Sequence, residues 1–479
     1  MVRLTAAVAV VTIGLSCPAE AYTPKPAPDA GADPPSGPHY LNLRYDEDYS
    51  FLDDDPEARG EDPRLKLKNL DLGDGWRMDI GGELRLRAEF RSNQTFGLEP
   101  RTSNAQQNYR WMLHANVRQG DRFRLFVQGI FAHVEDQDGP FQPTQENHGD
   151  IQQLFADLPL LGQDVPVTLR VGRQEFSYGN DRLIGPLDWV STRRRFDAVK
   201  LSYEGSKFDV DAFYARPVVV DRTRLDSWND DYGLYGVYAT YKAIPNHGVD
   251  AYLLVTDQDD ETRSPNRQTG ELDMYTAGTR FWGSASGFDY DTELAGQWGR
   301  WADDAVAAWM WEFDGGYTFD HRWKPRLGAG FSYTSGDRDP FDGKVNTFNQ
   351  LFTFNDVCIG ILDLIGRQNL TRAYLTVDAW PVPNKLMVAA YWHRYWLSAA
   401  EDAYYNAGAA PVLRDLSGDS GADLGHELDL WVEWFLTSNS SLVFAYAHFW
   451  DGDYVHERVG TVTGDDDPDL FFVQFRYRF

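Results

Sequence analysis

From about residue 76 to residue 479 the chain alternates apolar and polar side chains in short runs separated by Gly, Asp, Asn and Pro clusters. In the run LRLRAEFR, Leu84, Leu86, Ala88 and Phe90 share one face, while Arg85, Arg87, Glu89 and Arg91 share the other. A two-residue period of this kind belongs to a β-strand. The last run repeats it, with Phe471, Val473, Phe475, Tyr477 and Phe479 opposite Phe472, Gln474, Arg476 and Arg478. The same pattern predicts eighteen strands in all, from 76–91 through 109–118, 122–133, 151–158, 167–176, 196–203, 287–298, 308–319 and 425–437 to 470–479. Short connections (119–121, 205–206) alternate with long ones (135–150, 177–195, 397–424). An even strand count, with short turns at one end and long loops at the other, predicts an all-β, transmembrane antiparallel β-barrel.

A β-sandwich or a propeller would also show many strands. The propeller would repeat a blade of about 40–50 residues, and no such repeat is visible. Tryptophans gather near predicted strand ends (Trp76, Trp111, Trp282, Trp298 with Trp301, Trp309 with Trp311, Trp380, Trp396, Trp434, Trp450). Rings at strand ends rather than centres predict an interfacial girdle. A terminal Phe after an alternating aromatic strand is also the form expected of a barrel delivered to the outer-membrane assembly machinery.

Composition narrows the function. The 479 residues carry 45 basic and 73 acidic side chains, a formal net charge of −28, which argues against nucleic acid as a partner. Beyond the N-terminus no run of about 18 apolar residues offers a membrane-spanning helix. Residues 1–21, with Arg3, an apolar stretch and small residues at Ala19 and Ala21, read as a bacterial secretory signal peptide, with a lipid-bearing Cys17 as the lesser alternative. Cleavage would leave Cys358 alone, so no internal disulfide is expected. Residues 22–70 form an acidic, Pro-rich segment, flexible or docked, and 71–479 the barrel with its long loops.

The polar face carries the candidate chemistry. Early strands place Arg85, Arg87, Arg91, Arg110, Arg118 and Arg124 at the phase opposite to the apolar residues, and Arg170, Arg280, Arg372 and Arg476 follow. A guanidinium stays charged and grips a carboxylate through two parallel hydrogen bonds, so such a lumen favours anions. Acids of the same phase concentrate later, among them Asp289, Asp291, Glu293, Glu312, Glu427 and Asp429. They either pair with the arginines or leave a lumen with one basic and one acidic wall and a transverse field. Enzyme motifs are weak: His426–Glu427 does not extend to HExxH, and GDSGA at 418–422 sits in a polar loop without an evident His partner. No cofactor is expected. Loop calcium is the one metal considered, at 53–55, at Asp337 with Asp339 and Asp342, or at 465–469.

The stretch 169–203, LRVGRQEFSYGNDRLIGPLDWVSTRRRFDAVKLSY, resembles the signature region of the bacterial alginate-export family of outer-membrane proteins. TFNQLF at 347–352, IGILDLIGRQNL at 359–370, GHELDLWVEWF at 425–435 and the ending FVQFRYRF extend the resemblance along the barrel. It implies an eighteen-stranded monomer in outer-membrane lipid, whose arginine-rich constriction passes an anionic polysaccharide or oligouronate. On the matching motifs it implies Arg173 and Arg182 as ligand-facing, with Arg193, Arg194 and Arg195 as companions and Glu427 and Asp429 as partners of lumenal arginine. Arg173 is out of phase with Arg170, so a bulge or strand end near Gly172 is expected to turn it inward. The segment 336–369 is expected to enter or cap the lumen. A general anion porin for small acidic nutrients and a secreted carbohydrate-active enzyme are the competing readings.

Overall fold

The computed structural model describes residues 40–55, 57–58, 63–96, 98, 103–136, 143–161, 165–355, 359–459 and 467–479. The leader expected at 1–21, Cys358 and the first two residues of 465–469 lie outside them. Eighteen strands close into one antiparallel barrel. They are β1 (Trp76–Ser92), β2 (Ser103–Gln119), β3 (Phe123–Glu135), β4 (Asn147–Pro159), β5 (Val167–Gln174), β6 (Phe196–Glu204), β7 (Phe208–Val219), β8 (Tyr232–Ile244) and β9 (His247–Arg263). The second half comprises β10 (Thr269–Ala285), β11 (Phe288–Trp301), β12 (Asp304–Thr318), β13 (Arg326–Thr334), β14 (Leu370–Val382), β15 (Leu386–Leu397), β16 (Asp423–Thr437), β17 (Ser440–Asp451) and β18 (Asp469–Arg478). Each neighbour pairs with the next, and β1 pairs with β18 from Glu83↔Arg478 to Ser92↔Asp469, which removes the sheet edges.

The polarity of the two faces is that of a barrel in lipid. On β2 the outward Trp111 and Leu113 are each 58% exposed, while the alternating Arg110 and Met112 are buried inside. On β1 the inward Asp79, Glu83, Arg85, Arg87, Glu89 and Arg91 are all buried. A soluble protein could not leave this much apolar surface bare, but a bilayer solvates it.

Each of the eighteen segments read from the sequence overlaps one of these strands. β2 starts at Ser103, six residues before its predicted start, because its first six residues, SNAQQN, carry only Ala105 on the apolar half of the pattern. There Gln106 and Asn108 face inward and donate to Glu89 at 3.1 and 3.2 Å. Trp301 departs from the predicted girdle: it is buried with Leu272, Met274, Val306 and Val345.

Short turns join the strands at the end where β1 begins and β18 finishes; most of the longer loops rise from the other end. Two of these loops fold back inside. Residues 175–195, between β5 and β6, and residues 335–369, between β13 and β14, meet at an isolated parallel bridge, Ile184↔Phe352. Phe352 N donates to Leu183 O at 2.9 Å and Gly185 N to Phe352 O at 3.1 Å, so the loops are stitched to each other. Their apolar residues pack on inward-facing wall residues, including Trp189 on Phe472 and Phe176 on Phe196 and Phe213.

Candidate functional site

Arginines of β1, β2 and β18 converge on one loop tip. Arg85 donates to the carbonyls of Asp188 at 2.6 Å and Val190 at 3.2 Å. Arg87 donates to Trp189 O at 3.1 Å and lies across the Trp189 ring. Arg110 reaches both carbonyls, at 2.8 and 3.1 Å, and the Asp188 carboxylate at 2.6 Å. Arg476 donates to the other oxygen of that carboxylate at 3.1 Å, and Arg193 of the same loop also bonds to it. A single carboxylate therefore sits among three guanidiniums inside the barrel. Charge-assisted bonds of this kind are the strong class, and buried ones depend on every partner being present.

Wall carboxylates complete the cluster. Glu83 bonds to Arg110 at 2.5 Å and Arg478 at 3.2 Å, and Glu89 bonds to Arg87 and, at 2.8 Å, to Arg91. Around the wall, Arg170 holds Asp157 through two bonds of 2.7 and 2.8 Å, and Arg118 reaches Asp79 at 3.1 Å. Arg280 bridges Asp250 at 2.9 Å and Asp291 at 2.8 Å. Arg372 donates to Ser332 at 3.1 Å and lies over the Tyr374 ring. The inward arginines thus take inward acids and loop carbonyls as ligands.

The loop 175–195 also crosses to the acidic side. Arg182 donates to Asp291 at 2.5 Å and Glu293 at 3.1 Å, both inward on β11. Asp188 faces the basic wall and Arg182 the acidic one, so the loop brings a counter-charge to each wall. Arg194 donates to Gly185 O at 3.2 Å and Thr353 O at 2.9 Å, tying this loop to the other. Arg195 bonds to Asp226.

Glu427 and Asp429 serve the second loop. Their sequence expectation is an arginine partner; in the structure Leu362 N donates to Glu427 at 2.9 Å, Ile361 N to Asp429 at 3.3 Å, and Tyr395 OH to Glu427 at 3.2 Å. His393 lies 3.3 Å from Asp429. Two acids at i and i+2 point to the same side of β16 and so catch consecutive amides of an irregular segment that has no strand partner there. Asp337 and Asp339, considered for calcium, accept backbone N–H groups at Asp339 and Phe341.

The expected inward turn of Arg173 is not made. Gly172 has φ +128, and a Cβ there would meet Leu154 O at 2.2 Å, so the position needs glycine. Arg173 nevertheless keeps the phase of the exposed Val171, opposite Asp197, which it holds at 2.8 and 3.0 Å. It also donates to Asp226 O at 2.9 Å. The alternation survives the glycine, so Arg170 and Arg173 remain on opposite sides.

A third body docks at the short-turn end. Tyr45 is buried between Phe126 and Phe155, with Arg170 over its ring at 4.4 Å, and its hydroxyl donates to Glu175 O at 3.0 Å. Arg124 bonds to Tyr45 O, and Arg44 donates to Gly82 O at 2.9 Å and Phe479 O at 3.0 Å. Arg193 donates to Asn42 at 2.9 Å, linking this segment to the loop that carries Asp188. The sequence reading names neither Asp188 nor Tyr45 as a site residue. The signal for Tyr45 was present: YLNLRYDEDYSFL at 40–52 mixes aromatics and an arginine into an otherwise acidic stretch.

A family model described as alginate export matches residues 76–466. No curated protein matches the chain. Among solved structures, Pseudomonas aeruginosa OpdQ aligns with TM-score 0.57 and 13% identity over 85% of this chain and 99% of its own. Pseudomonas aeruginosa OccK8 (OprE) aligns with TM-score 0.55 and 11% identity over 84% and 98% respectively. At such identities the likeness is one of fold. With the closed barrel, its outward apolar band and the family match over most of its length, the chain belongs to the alginate-export family of outer-membrane β-barrels.

Proposed function

We propose that this barrel is a passive channel for an anionic, uronic-acid polysaccharide such as alginate or its oligomers. The observation that carries the reading is the Asp188 site: a carboxylate held by Arg110, Arg193 and Arg476, with Arg85 and Arg87 on the adjoining carbonyls. A uronate carboxylate presents the same two oxygens as Asp188. Passage is then an exchange of ligands, in which the loop 175–195 withdraws Asp188 and successive sugar carboxylates replace it. The guanidiniums lower the barrier only while one anion substitutes for another, so the site is selective yet releases its cargo. On this reading the segment 40–52 and the loop 335–369 also shift when a polymer passes.

The test is single-channel conductance of the detergent-purified, refolded barrel under a salt gradient, with and without oligouronate. Anion preference with dose-dependent block supports the polyuronate channel. Open, anion-selective conductance that uronate fails to block would replace it with a general porin for small acidic solutes.

A further inference from the structure

A cluster outside the lumen has the chemistry of a metal site. His133 lies near the end of β3, two positions beyond the outward-facing Phe131, and Glu146 and His148 lie where β4 begins. Their ligand atoms all fall within 4.8 Å of one another. His133 Nδ1 is 3.2 Å from Glu146 Oε1, and His148 Nε2 is 3.7 Å from the same oxygen. Ligands of a tetrahedral zinc ion with bonds of about 2.0–2.1 Å stand about 3.4 Å apart, close to both distances.

The surroundings orient each ligand. His133 Nδ1 is buried and makes no hydrogen bond, while Glu135 Oε1 lies 3.9 Å from the other ring nitrogen, Nε2. Arg222 holds Glu146 through Oε2 at 3.0 Å and touches Oε1 only at 3.5 Å, leaving Oε1 turned to the imidazoles. His148 is stacked on Phe131 at 5.9 Å and 20°. Two imidazoles and one carboxylate suit borderline metals and not the hard calcium or magnesium ions.

We propose that His133, Glu146 and His148 bind a divalent transition-metal ion of the zinc class. The ion sits on the outward side of the barrel at the loop end and ties the start of β4 to β3, with its fourth position open to water or an external ligand.

The full chain, purified in detergent without an oligohistidine tag, is titrated with Zn2+ against a chromophoric chelator. One Zn2+ per chain is expected, with calcium unable to displace it. His133→Ala and His148→Ala, which each remove one ligand, are expected to weaken binding at least tenfold. His247→Ala, at a short turn of the opposite end, serves as the control and leaves binding unchanged. Heat-modifiable migration on gels checks that each variant is folded, and Glu146→Gln provides a further ligand variant that alters no ring packing. Absence of stoichiometric Zn2+ uptake by the wild type, or wild-type affinity in the folded His133→Ala and Glu146→Gln variants, overturns the proposal.

Discussion

Asp188 and Arg476 lie 288 positions apart, and the Arg476 guanidinium donates to the Asp188 carboxylate at 3.1 Å. One partner is on the loop 175–195 and the other on the barrel strand β18. The contact therefore ties the inward-folded loop to the barrel wall. Its loss is costly in place, since removing one member of a buried ionic set costs about 3–5 kcal/mol, unless another anion takes over.

Asp188→Asn removes this one carboxylate charge and keeps the side chain's shape. Arg110, Arg193 and Arg476 then lack that anion. Reversal potentials in planar bilayers under a salt gradient are expected to move further toward anion selectivity, and oligouronate is expected to block at lower concentration. An unchanged reversal potential would place the conducting path elsewhere.

Charge reversal separates the lumen from the outer phase. Arg85→Glu with Arg87→Glu is expected to reduce or invert anion preference, because both guanidiniums contact the loop tip. Arg173→Glu, at the phase of Val171 and opposite Asp197, is expected to leave selectivity close to wild type. Equal effects from the two would contradict the placement of Arg173.

Deletion of residues 40–68 removes the body docked at the short-turn end. Single-channel conductance is expected to rise. Tyr45→Ala should do the same in part, since a buried aromatic truncated to alanine costs about 3–5 kcal/mol and its pocket is walled by Phe126 and Phe155. Conductance equal to wild type in the deletion would show that ions bypass this segment.

Docking of that segment also has a sign with pH. Burial lowers the Lys68 pKa from 10.5 to about 8, against a partial upward pull from Glu47, a downward one from Arg44 and an upward one from Asp79. The ammonium lies over the Tyr49 ring at 4.8 Å and 6.0 Å from the Tyr40 ring. Between pH 8 and 10.5 the undocked lysine holds more proton than the docked one, so docking strengthens as pH rises through that window. Limited proteolysis of the segment is expected to slow from pH 8 to pH 10 in the wild type. Lys68→Met should flatten the dependence, and a wild-type rate that climbs relative to that variant would refute it.

The strands were legible because their signal is local. A two-residue period needs only neighbouring side chains, and the same period told that Arg85, Arg87 and Arg91 share a face, as did Glu427 with Asp429. It even placed Arg173 opposite to Arg170; the error came from expecting Gly172 to break the alternation. The start of β2 was missed because a strand with a polar lumen on one side and few apolar residues on the other has no contrast to read.

What the tertiary structure decided was partnership. Whether Arg110 meets Glu83, Asp188 or a passing anion depends on which loop folds inward, and loop paths are set by contacts between segments far apart in the chain, such as Ile184 with Phe352 and Arg44 with Phe479. Periodicity assigns a residue to a face of a wall. Only closure of the barrel brings opposite walls, two loops and the N-terminal segment close enough for charge to choose its counter-charge, because Coulomb attraction follows distance in space and not in sequence.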